Sequence, residues 1–165
     1  MALPPSRPSP LLLLAVLVWI LISHSEQTKS LLGFAMSSLE KPFTVEIGGV
    51  PIVKLTDQIQ ERTQARVSNS GVAAVFTLKD SRLSSDGHIL SRYTVENRSF
   101  MPKEVFWFPN GDDATQSQAV SVEKSGDSYK LRFGGGGLIA EGGQVFADLQ
   151  GLDDAKVVIK FVTKS

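Results

Sequence analysis

From Pro42 onward, apolar and polar residues alternate in short runs that match the two-residue period of a strand. In "FTVEI" (Phe43 to Ile47), Phe43, Val45 and Ile47 alternate with Thr44 and Glu46. "VPIVKL" follows after Gly48-Gly49, a hairpin-turn dipeptide. Pro51 marks an edge or the start of that strand, because proline cannot donate to a ladder. "VAAVFTLK" (Val72 to Lys79) is the most apolar of these runs and is expected to be buried. "HILSRYTV", "EVFWF", "AVSVE", "SYKLRF", "QVFADL" and "KVVIKFV" complete the set. "SSDG", "PNGDD", "KSGD", "FGGGG", "AEGG" and "GLDD" separate them with turn chemistry. Many short strands at this spacing predict an all-β fold, a compact antiparallel sandwich or barrel of about eight to ten short strands. Thr56 to Arg66 competes as a helix. Thr56 or Asp57 supplies a cap, but only Ile59 and Ala65 are apolar, so a short helix and a polar extended loop stay equally open.

The N-terminus breaks the pattern. Leu11 to Ile22 is a continuous apolar run, too short for the ~20 residues that span a bilayer. Its length suits a signal-peptide core, with Arg7 before it and small residues Ser23 and Ser25 placed for cleavage before Glu26. The expected organisation is a signal peptide at 1–25, a leader segment at 26–41 and a single β-domain at 42–165. An uncleaved signal anchor is the alternative, helped if Leu31 to Met36 touches membrane. The polar stretch "SHSEQTKS" argues against one continuous span. No stable membrane span is expected, and the localisation read from this is secreted or extracellular.

Composition narrows the functional classes. Lys plus Arg and Asp plus Glu number 17 each. Loss of Arg7 with the signal leaves 16 basic and 17 acidic residues, a net charge of −1. Nothing favours nucleic acid as a partner, which usually asks for a basic excess or stripe. The absence of cysteine excludes disulfides, thiol catalysis and cysteine-held metals, so stability rests on the 42% of apolar residues and on hydrogen bonds.

The candidate chemistry is sparse. "YKLRFGGGGLIAEGGQVFADL" (Tyr129 to Leu149) suggests a phosphate loop, but no Lys-Ser or Lys-Thr follows the glycines. A looser dinucleotide pattern at Gly135, Gly137 and Ala140 needs a helix that Gly142-Gly143 would break. Glycine as turn and bulge material is the expectation, with no cofactor. His88 in "SSDGHIL" is the histidine outside the signal region, and is expected in a surface turn. No G-x-S-x-G motif accompanies it, so no catalytic residue is assigned and the protein is expected not to be an enzyme. Asp112-Asp113 and Asp153-Asp154 sit in turn sequences as solvated acids, and no metal site is assigned. In "EVFWFP" (Glu104 to Pro109), Phe106 and Phe108 are expected in the core with Trp107 covering a barrel end; the competing reading makes Trp107 the candidate ligand-stacking aromatic. Asn97 opens the sequon "NRS" between two strands and is the candidate glycosylation site.

Several segments together resemble a known family. "VFTLKDSRLSS", "LSRYTVENRS" and "YKLRFGGGGLIAEGGQVFADLQG" followed by "VVIKFV" are similar to small fungal secreted proteins. These include the cell-wall protein linked to phialide development and IgE-binding antigens. The most specific likeness lies in Val75 to Leu83 and Leu131 to Leu149. The family usually carries cysteines, including one near the glycine-rich segment, where this chain has Ala140-Glu141; its Asp-Gly turn is Asp80-Ser81 here. The resemblance implies a non-catalytic protein of the cell wall or extracellular matrix, with wall polysaccharide or other wall proteins as partners. A carbohydrate- or small-ligand-binding β-module using exposed aromatics is the alternative.

Overall fold

The computed structural model describes residues 34–109, 115–151 and 157–163. The signal run, Asp112-Asp113 and Asp153-Asp154 lie outside these residues. Thirteen short strands are described: β1 (Phe34–Met36), β2 (Phe43–Ile47), β3 (Val50–Pro51), β4 (Thr63–Gln64), β5 (Thr77–Lys79), β6 (Arg82–Ser85) and β7 (His88–Arg92), then β8 (Lys103–Phe108), β9 (Val120–Ser125), β10 (Ser128–Phe133), β11 (Gly137–Glu141), β12 (Gln144–Asp148) and β13 (Val157–Phe161). Every described pairing is antiparallel. The fold is all-β, as the alternation predicts, in more and shorter strands than the eight to ten expected. β1 falls inside the stretch read as a leader, where it pairs with β9.

Three sheets share one core. Their orders are β1-β9-β10, β11-β12-β8-β7-β6-β5 with β4 also on β8, and β13-β2-β3. Backbone bonds outside the ladders stitch them together: Phe43 and Phe76 exchange bonds of 3.0 and 2.7 Å, and Val120 donates to Ser81 at 2.9 Å. β2 shows why the sequence folds this way, with Phe43, Val45 and Ile47 buried and the residues between them half-buried. The core joins these three to Phe76, Leu78, Leu83, Leu90, Val105, Trp107, Phe133 and others from all three sheets.

The glycine stretch is punctuation, as expected. Gly134 and Gly135 have φ of 54° and 89°. They form a two-residue turn in which the Phe133 and Gly136 main chains bond each other at 2.8 and 3.2 Å. Positive φ at both central residues is the type I′ geometry that matches strand twist. The same geometry is forced on side-chain-bearing residues at Asp80 (φ 49°) and Ser81 (φ 62°). That turn is clamped from the β1–β2 connection: Ser38 Oγ accepts from the Asp80 amide at 3.0 Å, and the Ser37 carbonyl accepts from the Ser81 amide at 2.8 Å.

Four expectations are settled or corrected. Thr56 to Arg66 is the extended alternative, with β4 laid along β8 and no helical turn. Trp107 offers no stacking face to a ligand: it is 2% exposed, and its ring stacks on Phe76 with centroids 5.7 Å apart. The parity of β8 is inverted relative to the expected one, because Val105 and Trp107 face the main core. Phe108 is buried on the opposite face in a small cluster with Ile89, Tyr93 and half-buried Phe106. Alternation fixes which residues share a face, but this central strand buries side chains on both of its faces. His88 is not a surface histidine; it is 6% exposed on β7, a strand buried along its whole length.

Candidate functional site

β7 and β8 begin as an ordinary ladder and then part. Ile89 to Arg92 pair with Phe108 to Val105. Beyond Arg92 the chain leaves β8, and Tyr93 bridges Ser117 while the Thr94 amide bonds the Gln116 carbonyl at 2.8 Å. The start of β8 turns to β12 instead, pairing Lys103 with Ala147 and Glu104 with Phe146. The divergence leaves residues 94–102 as a loop. Below it opens a cleft of about 420 Å³, whose lining includes Arg62, Tyr93, Phe106 and Phe146. The Arg62 guanidinium carbon lies 4.3 Å over the Tyr93 ring centroid and 5.5 Å from that of Phe106.

The loop is braced at both ends by buried cations. Lys103 is 6% exposed. Its Nζ donates to Asn97 Oδ1 at 2.6 Å, to the Asn97 carbonyl at 3.1 Å and to Ser99 Oγ at 3.1 Å. Three donors meet three acceptors, which satisfies the ammonium completely. Asn97 Oδ1 also accepts from the Ser99 amide at 3.2 Å and from Ser99 Oγ at 2.6 Å, closing an Asx turn over Arg98. At the other end, the buried Arg92 grips both carboxylate oxygens of Glu96, with Nε to Oε1 at 3.1 Å. Its Nη1 donates to the carbonyls of Phe133 and Gly134 at 2.9 and 3.1 Å. A bidentate pair of this kind fixes geometry as well as energy. The loop is thereby tied to the glycine turn, where a Cβ on Gly134 would sit 2.1 Å from Gln118 Oε1. A further tie runs from Gln150 Nε2 to the Phe100 carbonyl, 3.2 Å.

What the braces hold up is apolar. Val95, Phe100 and Met101 are 71%, 77% and 69% exposed, and Arg98 is exposed beside them. Single exposed apolar side chains are ordinary, whereas here three are held on one braced loop. The sequence placed Asn97 in this loop and the structure keeps it there, exposed, with its carbonyl oxygen engaged. The sequence reading missed Lys103, Arg92, Phe100 and Met101. "SFMP" was the available signal: a pair of large apolar residues between turn residues, off any strand period.

No group of three His, Asp or Glu side chains able to hold a metal occurs among the described residues. His88 faces Ser85 across the β6–β7 hairpin, and both are buried. The Ser85 hydroxyl has no hydrogen-bond partner. Neither residue is open to a substrate.

The fold and loop define a class: a cysteine-free β-scaffold that displays a braced, apolar-tipped loop. A family model described as peptidase inhibitor I66 matches residues 72–164, more than half of the chain, and the chain belongs to that family. The matched region contains the whole β7–β8 loop and leaves out the 54–62 connection. It also contains Val75 to Leu83 and Leu131 to Leu149, so both segments behind the fungal wall-protein resemblance lie within an inhibitor family. No curated protein and no solved structure matches the chain significantly.

Proposed function

We propose that the protein is a non-catalytic inhibitor that blocks a peptidase by inserting the β7–β8 loop into its substrate cleft. The observation that carries this reading is the Lys103 clamp on Asn97 and Ser99, in a loop whose apolar tips face solvent. A flexible loop in a peptidase cleft pays ordering entropy on binding and is a substrate. A loop ordered beforehand binds with less of that cost, since preorganisation raises affinity mostly by cutting such losses. Family membership supplies the partner class, and the matched region includes this loop. A secreted location, suggested by the Leu11–Ile22 run, would bring such an inhibitor to extracellular peptidases.

The test is an inhibition panel of serine, cysteine, aspartic and metallo-peptidases. It compares the wild-type protein with a variant whose residues 95–101 are replaced by a Gly/Ser segment of equal length. Inhibition of at least one class is expected, with a loss of at least about 100-fold in the variant while its thermal unfolding still shows a folded core. Full inhibition by the variant would move the site elsewhere. Failure of the wild type on every class would sink the reading.

A further inference from the structure

We infer that a second cleft, built where the chain leaves β3, leaves β4 and turns from β11 into β12, binds an organic phosphate or sulfate ester. It shares no lining residue with the β7–β8 loop, so it stands or falls apart from the inhibitor reading.

Main-chain bonds among those three segments fix its walls. The Val53 amide donates to the Arg66 carbonyl at 3.0 Å, the Lys54 amide to the Val72 carbonyl at 2.9 Å, and the Val67 amide to the Gly143 carbonyl at 3.0 Å. Gly71 lets two of the walls close up, because a Cβ there would sit 2.6 Å from Val53 Cγ1. The space between the walls is about 420 Å³, within the ~300–1,000 Å³ of small-molecule sites and more than a bare tetrahedral anion fills. Val53, Val67 and Val72 give it an apolar lining. A pocket stitched in this way exists before its ligand arrives, so little ordering cost is left for binding.

The polar groups decide the ligand. Lys54 and Arg66 line the cleft with Ser68 and Ser70, and no carboxylate joins them. That separates it from three other clefts, which carry Glu96 and Glu104, Glu61 and Glu104, or Asp80. The Arg66 guanidinium has no hydrogen bond or ion pair among the described residues. Lys54 Nζ reaches Asp86 Oδ2 only at 4.0 Å, with both side chains exposed, and such a contact contributes little in water. Ser68 Oγ and Ser70 Oγ lie 2.9 Å apart, and Ser68 Oγ accepts from the Ser70 amide at 3.1 Å. One of the two hydroxyl hydrogens is used between them, and the other is free to donate. The cleft therefore offers guanidinium, ammonium and hydroxyl donors with no charged acceptor. A neutral sugar or an amide asks for acceptors as well as donors. A tetrahedral oxyanion asks only for donors, and the guanidinium fork matches two of its oxygens. The valines then call for an organic body on the ester to cover them.

Titration calorimetry and amide chemical shifts at low ionic strength, with phenyl phosphate, phenyl sulfate, inorganic phosphate and phenol as probes, test this. The esters should bind and shift the amides of Val67, Ser68 and Gly71. They should bind at least about fivefold tighter than inorganic phosphate, because the ring covers the valines. Phenol, which brings no anion, should not bind measurably. Arg66→Gln and Lys54→Gln should each weaken the esters by about tenfold, the loss of one bond to a charged group, and leave the unfolding temperature unchanged because both side chains are exposed. Lys79→Gln and Arg82→Gln remove the same charge from the cleft that holds Asp80, and should change the affinity less than about twofold because salt screens distant charges. Binding confined to one of the two esters would keep the site and name its anion. Absence of binding by both esters would overturn the inference, as would equal weakening by Lys79→Gln and Arg66→Gln. Phenol or inorganic phosphate binding as tightly as the esters would overturn it too.

Discussion

Replacing Lys103 by methionine isolates the brace from the scaffold. Methionine keeps an unbranched stem of similar volume on β8, so the packing beside Ala147 changes little. What disappears is the ammonium and its three bonds to Asn97 Oδ1, the Asn97 carbonyl and Ser99 Oγ. Hydrogen bonds to a charged group contribute about 1.5–3 kcal/mol each at most. Their sum overstates the effect, because the acceptors belong to exposed residues and rehydrate once freed. Removing a nearly buried charge also returns its desolvation cost. The surplus is about one bond's worth, on the order of 1.5 kcal/mol, and it acts on the order of the loop rather than on the core. Since ~1.4 kcal/mol is tenfold in an equilibrium constant, inhibition should weaken by about tenfold. The decisive assay pairs that constant with hydrogen exchange. Protection of the Ser99 amide should fall in Lys103→Met while core amides such as Ala65 and Val145, bonded to Val105 and Ala65, keep theirs. Unchanged inhibition with a deprotected loop would refute the link between loop order and binding. A collapse of core protection would show that Lys103 is a strut of the fold and not a brace of the loop.

Three further outcomes follow from other parts of the fold. Ser81→Gly should stabilise the protein by about 0.5–1 kcal/mol, because it removes an αL cost of ~1–2 kcal/mol and adds back some unfolded-chain entropy; a lowered unfolding temperature would show that the Ser81 side chain does more than tolerate its φ of 62°. Trp107→Ala should cost ~3–5 kcal/mol by opening a cavity against Phe76, read by denaturant unfolding, and a loss below about 1 kcal/mol would contradict its place in the core. Asn97, if the chain is made through a secretory pathway, should stay free of a glycan, because a bulky sugar there would bar residues 95–101 from a cleft; a peptide-N-glycosidase mass shift that Asn97→Asp abolishes would refute the loop reading.

Strand existence was legible because burial follows chemistry locally: β2 alternates in the sequence and in the structure alike. The turns were legible for the same reason, since Gly48-Gly49, Gly134-Gly135 and Gly142-Gly143 advertise the positive φ they adopt. The orientation of β8 was not, because alternation gives two faces without naming the inner one. That choice depends on Phe76, 31 residues earlier, being placed to stack on Trp107. His88 was misplaced by a related error: the turn next to it, Asp86-Gly87, is exposed, but the strand it opens is covered on both sides.

The loop shows where local reading ends. Its exposed part, "ENRSFMP", reads locally as polar turn sequence interrupted by two apolar residues. The forces that hold it are a buried lysine six residues from Asn97, an arginine whose guanidinium spans from Glu96 to Phe133, and a glutamine fifty residues beyond Phe100. None of these partners has a sequence signature, since Lys103 and Arg92 look like the polar ends of strands. Yet they are what distinguishes a braced loop from a loose one of the same composition. Buried cations at strand ends, with acceptors on the loop between them, are therefore the feature to seek in this kind of scaffold. Burial of Lys103 and Arg92 is costly unless each is paired; Lys103 finds its partners in the loop, and Arg92 divides its bonds between Glu96 in the loop and the carbonyls of Phe133 and Gly134. The desolvation that makes them unfavourable alone is what forces the loop into one conformation.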